Sequence, residues 1–317
     1  MTPTTKSDTD AVTFYRQHGW YATEAVLPPE LLDRAEEVVE HLDADHRDRE
    51  IPYTLRDFLS WPVGEPRPTH LNQYIALQYQ AMNDLASFPA LARTAAVLSE
   101  SSGARIFNTA LIRKRPGAEQ QYARVGWHCD KAYWETCSSD RMLTAWVPLQ
   151  DTTVSMGTLT VLSGSHKWPD IPAVRALREA NTFISKDHEA LWDQLESLGS
   201  SNVPFDLRHI ELKRGQVSFH HPLTFHSSGV NLSTTTRNAI SVHFQDETNQ
   251  YRPAVDHNGS PVAYVHDQFV RRLPSGEPDY ADPEICPRVW PPVPEPAVAG
   301  ALPADDRGTP ARRTSRP

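Results

Sequence analysis

The sequence predicts an α+β, mainly β protein in which a helical prologue precedes an antiparallel barrel or sandwich. Three observations carry that expectation. Apolar residues recur at helical spacing early in the chain and again in one later stretch. From Ala104 onward short β-favouring runs take over. Clusters of Pro, Gly, Ser and Asp, such as Arg115-Pro-Gly117 and Ser163-Gly-Ser165, punctuate those runs.

Taken in order, residues 1–10 are polar and read as a loose N-terminus. Residues 11–100 form the helical prologue, with helix expected over 11–45. Its clearer half opens at Pro28-Pro29, since proline suits a first helical turn. Leu31, Leu32, Ala35, Val38, Val39 and Leu42 follow at helical spacing, opposite Glu30, Asp33, Glu36 and Glu37. Leu85, Phe88, Leu91, Ala92, Ala95 and Leu98 predict a second helix over 84–99. The stretch 47–83, rich in Pro and in aromatics such as Tyr53, Phe58, Trp61, Tyr74 and Tyr79, is given no element. Strands are expected at 104–115, 142–150, 159–162, 207–212, 216–220 and 238–244, with a helical insertion at 173–198. Residues 11–282 thus read as one domain with its β core at 104–246. Residues 283–317, where nine of 35 are Pro, read as a disordered tail.

Composition narrows the function. Lys and Arg total 31 against 40 Asp and Glu, a net charge of −9, which offers no basic face to nucleic acid. No apolar run is long enough to cross a membrane, and Met1–Asp10 lacks the apolar core of a signal peptide. Cys129, Cys137 and Cys286 are odd in number and form no C-x-x-C pair, which argues against a disulfide framework. The expectation is a soluble, acidic globular protein of a reducing, cytoplasmic compartment, with no nucleic-acid, membrane or protein partner.

The chemistry-bearing residues cluster. In Gly126-Trp-His-Cys-Asp130, residues two apart on an extended strand share a side, so His128 and Asp130 aim together and Cys129 turns away. A third ligand from a distant strand would complete a set of two histidines and one carboxylate. That set suits non-haem Fe(II) because positions stay open for substrate and dioxygen, whereas a structural zinc wants four closed ligands. His226, at the end of an apolar run, is the candidate. Arg237 opens the next strand, where an inward arginine is costly unless paired. A dicarboxylate cosubstrate would pair it bidentately.

These residues resemble the phytanoyl-CoA dioxygenase family of Fe(II)/2-oxoglutarate oxygenases, from about Val12 to Phe244. Phe14-Tyr-Arg-Gln-His-Gly-Trp20 and Ala25-Val-Leu-Pro-Pro-Glu-Leu31 are similar to the family's opening of glycine, strand and helix. Arg115-Pro-Gly117 stands where the family has a Lys-Pro-Gly turn, and Trp127-His-Cys-Asp130 resembles its His-x-Asp motif. Met156-Gly-Thr-Leu-Thr-Val-Leu-Ser-Gly-Ser-His166 is similar to its Gly-Ser-His stretch, and His226-Ser-Ser228 with Arg237 falls at its spacing.

The resemblance implies a double-stranded β-helix, the jelly-roll or cupin-like core, with flanking helices. It implies Fe(II) held by His128, Asp130 and His226, with 2-oxoglutarate and O2 as cosubstrates. Arg237 would pair with the distal carboxylate, helped by Ser228 and near Trp146. Thr109 and Arg113 stand where ectoine-hydroxylase-like relatives use Gln and Asn; they are placed at the cosubstrate although they depart from that pattern. Lys131, Tyr133 and Trp134 would reach the pocket rim, the alternative being a solvated loop. His243 shares the face of Arg237, Ala239 and Ser241, and reads either as a pocket residue or as a packed core histidine. The implied reaction is hydroxylation of a small natural-product or amino-acid-derived intermediate, releasing succinate and CO2. The same chemistry diverted to desaturation, cyclisation, epimerisation or endoperoxidation is the alternative, and a non-catalytic metabolite- or metal-binding barrel is another. Related halogenases lack the carboxylate that Asp130 supplies here.

Overall fold

Ser7 accepts a hydrogen bond from the backbone N–H of Asp10 and caps helix α1 (Asp8–His18). The structure, a computed structural model, describes residues 7–42, 47–56, 69–117, 123–179, 188–199, 204–255, 259–262 and 264–292. The expected loose N-terminus is therefore corrected from Ser7 onward. The expected helix over 11–45 is two helices, α1 and α2 (Pro29–His41), interrupted by strand β1 (Trp20–Ala22) after Gly19. Three short helices follow: α3 (Ile75–Gln78), α4 (Gln80–Ala86) and α5 (Pro89–Leu98). Pro89 splits the expected second helix, because proline starts a helix but cannot continue one.

The remaining strands are β2 (Thr69–Gln73), β3 (Ala104–Lys114), β4 (Val125–His128), β5 (Leu143–Pro148), β6 (Leu159–Leu162), β7 (Leu207–Ile210), β8 (Ser218–His220), β9 (His226–Ser228), β10 (Arg237–Asp246) and β11 (Arg288–Trp290). They form two antiparallel sheets. The larger has the order β1-β8-β5-β10-β3-β11 with β2 also on β3; the smaller has the order β4-β9-β6-β7. This is the jelly-roll arrangement that the sequence led one to expect.

Alternation along each strand of the large sheet divides its two faces. Ile240, Val242 and Phe244 of β10, with Leu143, Ala145 and Val147 of β5, face outward onto Leu31, Leu32, Leu85, Leu91 and Ala95 of the helical layer. Burying one such leucine contributes roughly 1.5–3 kcal/mol. The inner face carries Arg237, Ser241 and His243 of β10 and Thr144 and Trp146 of β5 toward the small sheet. The small sheet's outer face is covered by α6 (Pro172–Glu179) and α7 (His188–Gly199), which overlap the expected insertion at 173–198 and extend one residue past each of its ends. Phe58 and Trp61 lie outside the described residues.

The C-terminal segment differs most from expectation. Residues 283–292 are not a tail: β11 pairs with β3, and Ile285, Cys286 and Val289 are buried. The prolines flank this edge strand and leave its pairing intact. Residues 293–317 lie outside the described residues. Ahead of β11, Tyr264, His266, Phe269 and Tyr280 pack around Phe107 and Tyr74.

His266 is 0% exposed, with Nδ1 3.0 Å from the Tyr74 hydroxyl and Nε2 3.4 Å from Cys286 Sγ. Burial, then repulsion from His243, pulls its pKa from 6.5 to about 3. As pH falls below the unfolded value the unfolded chain takes up this proton first, so the stability present above pH 6.5 is lost toward pH 3. A His266→Gln variant should flatten the slope of unfolding free energy near pH 5 by about 1.4 kcal/mol per pH unit. Denaturant melts across pH would show this, and an unchanged slope would contradict it.

Candidate metal centre

Strands β4 and β9 are neighbours in the small sheet, and His128 stands directly opposite His226. Cys129 continues the extended backbone, with φ −121° and ψ 145°, so Asp130 returns to the face of His128. Cys129 turns outward among Trp127, Leu162 and Phe225. The sequence pattern thus gives the geometry expected of it. Among the described residues, His128, Asp130 and His226 form a buried group whose ligand atoms all lie within 4.8 Å of one another.

The protons of the site follow from its partners. His128 Nδ1 faces the Gly126 carbonyl at 2.7 Å, and His226 Nδ1 faces the Thr224 carbonyl at 2.9 Å. A carbonyl only accepts, so both histidines donate from Nδ1 and keep lone pairs on Nε2. Those Nε2 atoms lie 3.9 and 3.6 Å from Asp130 Oδ1. Burial lowers the pKa of both rings, which keeps the lone pairs available. Burial would raise the pKa of Asp130, but the facing His226 and His220 more than offset it and hold the carboxyl well below its usual range. Its second oxygen, Oδ2, accepts from the Thr144 hydroxyl at 2.5 Å and from His220 Nε2 at 3.2 Å.

One carboxylate oxygen is therefore tied back, while the other converges with two oriented imidazoles. The open three-donor set fits iron(II), and the absence of thiolates from it argues against a closed structural zinc. Replacing Thr144 by valine should weaken Fe(II) or Co(II) affinity about 10- to 100-fold, with serine restoring it, as for other partners that orient ligands. Equilibrium dialysis reads this directly. Equal affinity in Thr144→Val would sink the orienting role.

A cavity of about 560 Å³ lies between the sheets, bounded by the triad at one wall and the inner face of β10 at another. Arg237 is 1% exposed at its edge, and its Nε and Nη2 find no partner. No carboxylate among the described residues pairs with it. Burial lowers its pKa to about 9, which leaves the guanidinium charged at neutral pH. The guanidinium carbon lies 5.4 Å from the Trp146 ring centre. Lys114, opposite Arg237 across the ladder, is also 1% exposed and donates to the backbone carbonyls of Ser228 and Gly229. Gly157, at φ +66°, lies under the Gly229 carbonyl, where a Cβ would collide; this keeps the end of β9 close to β6.

Ser228, Trp146, Tyr133, Trp134 and His243 all line the same cavity as the triad and Arg237. Three other expected residues are placed elsewhere. Thr109 points to the opposite face of β3, where its hydroxyl accepts from the Ala76 N–H at 3.0 Å. Arg113 shares that parity and is not part of the lining; Asn108, Ala110 and Ile112 line the cavity instead. Lys131 turns away to the carbonyls of Cys137 and Ser139 and to Asp140, each at 3.1 Å, and clamps its own loop.

Sequence reasoning missed Thr144, Lys114 and His220, and the wall formed by Leu71, Gln73, Tyr264 and Val265. Parity alone would have found Thr144, two residues before Trp146. No local signal marks Tyr264 or Val265.

A family model described as phytanoyl-CoA dioxygenase (PhyH) matches residues 15–239. The peroxisomal phytanoyl-CoA dioxygenase of Bos taurus is 30% identical over 163 residues, 51% of this chain and 45% of that protein. The chain thus matches less than half the length of this curated relative. Among solved structures, the epimerase SnoN in complex with Fe3+, alpha ketoglutarate and nogalamycin RO has a TM-score of 0.61 at 23% identity, over 89% of this chain and 98% of that one. The alpha ketoglutarate dependent carbocyclase SnoK from nogalamycin biosynthesis has a TM-score of 0.60 at 22% identity, over 84% and 98%. At such identities the likeness is one of fold.

Proposed function

The chain belongs to the phytanoyl-CoA dioxygenase family, and from that premise we propose that it is an iron(II)- and 2-oxoglutarate-dependent oxygenase hydroxylating a small natural-product or amino-acid-derived molecule. The observation that carries the reading is the pairing of an open triad with a buried, unpartnered arginine across one cavity. His128, Asp130 and His226 would hold the iron. Bound iron supplies the oxidising chemistry that uses O2 and 2-oxoglutarate to convert a substrate C–H to C–OH, with succinate and CO2 as coproducts.

The chain's own residues bind, orient and exclude. Arg237 offers two free N–H donors to the distal carboxylate of 2-oxoglutarate, and Ser228 adds a hydroxyl at the same end. Trp146 shields that ion pair from water. Thr144 and His220 hold Asp130 in the rotamer that presents one oxygen to the metal. Tyr133, Trp134 and Leu71 give the substrate an apolar wall that keeps bulk water out.

Anaerobic titration of the Fe(II)-reconstituted protein with 2-oxoglutarate tests the reading. A weak visible charge-transfer band is expected, followed by succinate on admission of O2. No band from folded, iron-loaded protein would remove the oxygenase and leave a metal-binding barrel. The fold likeness to an epimerase and a carbocyclase supports a second reading, in which the same chemistry ends in epimerisation or ring closure. Product mass separates the outcomes: gain of one oxygen, no change, or loss of two hydrogens.

A further inference from the structure

We propose that His243 docks the substrate, its unprotonated Nε2 accepting a hydrogen bond from a hydroxyl group on an uncharged molecule with an apolar, ring-shaped body. The proposal deepens the oxygenase reading, on which it rests for what the docked molecule undergoes.

Proton accounting carries the first half. The Thr144 hydroxyl donates to Asp130 Oδ2. Thr144 has a single hydroxyl proton, and its oxygen lies 2.5 Å from Asp130 Oδ2, so the proton is committed there. The same oxygen faces His243 Nδ1 at 2.8 Å. Two lone pairs do not face each other at that distance, so His243 donates from Nδ1. Burial in the cavity wall keeps the ring neutral, its pKa lowered to about 4. A neutral imidazole with its proton on Nδ1 presents a lone pair on Nε2. The carboxylate that faces the metal thus fixes, through Thr144, which nitrogen of His243 is left to accept.

The surroundings carry the second half. His243 lies opposite both Asn108 and Thr144 on the inner face of the large sheet, and its ring meets that of Trp134 edge to face at 5.1 Å. Tyr133, Tyr264, Leu71 and Val265 extend the wall. Apart from the histidines, the charged side chains among the described lining residues are Asp130 and Arg237. The first belongs to the triad and the second to the cosubstrate. Among the described lining residues an anionic substrate finds no countercharge beyond the cosubstrate's arginine, whereas a planar or fused-ring alcohol or phenol finds aromatic faces beside the acceptor on His243.

The experiment uses 2-naphthol and its methyl ether, 2-methoxynaphthalene, which share a ring system and differ in one donor. Each is titrated by tryptophan fluorescence into the metal-free protein and into the anaerobic Fe(II)/2-oxoglutarate protein, with 2-naphthoate as the anionic control. Naphthol should bind roughly five- to tenfold tighter than the ether, the fold-change of one buried hydrogen bond. His243→Phe, which keeps an aromatic ring, should erase that preference while leaving the affinity for the ether within about twofold. His243→Gln, whose amide oxygen can accept, should restore part of it. Equal binding of naphthol and ether in the parent protein, no binding of either, a preference that survives in His243→Phe, or tighter binding of naphthoate would each overturn the proposal. A hydroxyl preference erased by His243→Phe in protein that gives no charge-transfer band would keep the docking residue and remove the oxygenase, so the two failures are distinguishable.

Discussion

Replacing Asp130 by alanine is expected to abolish turnover and to lower Fe(II) affinity by more than about a hundredfold. Residues that merely orient a ligand are worth about 10- to 100-fold in metal affinity, so loss of the ligand itself should exceed that range. The physical reason is local. Asp130 is the anionic member of the group of three, and both histidines present neutral lone pairs toward its Oδ1. Without it, two neutral imidazoles face a dication with no countercharge, and the Thr144 hydroxyl and His220 Nε2 lose their acceptor. Equilibrium dialysis with Fe(II), alongside circular dichroism to establish folding, is the measurement. Full turnover in a folded Asp130→Ala protein would contradict the assigned ligand set. Asp130→Asn keeps the volume and removes the charge, and should bind metal weakly while melting close to the parent.

Arg237→Met is expected to raise the KM for 2-oxoglutarate by about a hundredfold or more, in line with the 2–5 kcal/mol lost when one partner of a buried charge pair is removed. Its second signature lies in stability. In the absence of cosubstrate, the parent buries a guanidinium whose Nε and Nη2 have no partner, beside a lysine that is itself buried. Exchanging that charge for an apolar side chain of similar length should leave the melting temperature unchanged or raise it. Saturating 2-oxoglutarate should stabilise the parent and leave the variant unmoved. Scanning calorimetry with and without 2-oxoglutarate reads both effects. A variant that melts far below the parent without cosubstrate would show that Arg237 has a structural partner, and an unchanged KM would remove it from the cosubstrate site.

The pairing of His128 with Asp130 was legible because its information is local. His128 and Asp130 are two residues apart, and strand parity places them together whatever the rest of the chain does. His226 and Arg237 were legible through their order along the chain and their place at strand edges. The helical layer was legible through its apolar spacing, although Gly19 and Pro89 broke it where periodicity alone ran on. Composition misled at 283–292, where proline content suggested a tail and the buried Val289 makes a strand.

The sequence by itself determined the class of fold and the pairing of His128 with Asp130, since these depend on residue type and short spacing, while the order of the motifs shared with the family pointed to His226 and Arg237. Only the tertiary structure decided which face of β3 looks inward. Nearly every residue of that strand is buried, because helices cover one side and the small sheet the other, so alternation shows which residues travel together but not where they point. Thr109 and Arg113 were assigned to the cosubstrate by resemblance, and Asn108 and Ala110 line the cavity instead. The same holds for the wall formed by Tyr264, Val265, Leu71 and Gln73. These come from segments far apart in the chain, and only the closing of the two sheets brings them to the metal centre.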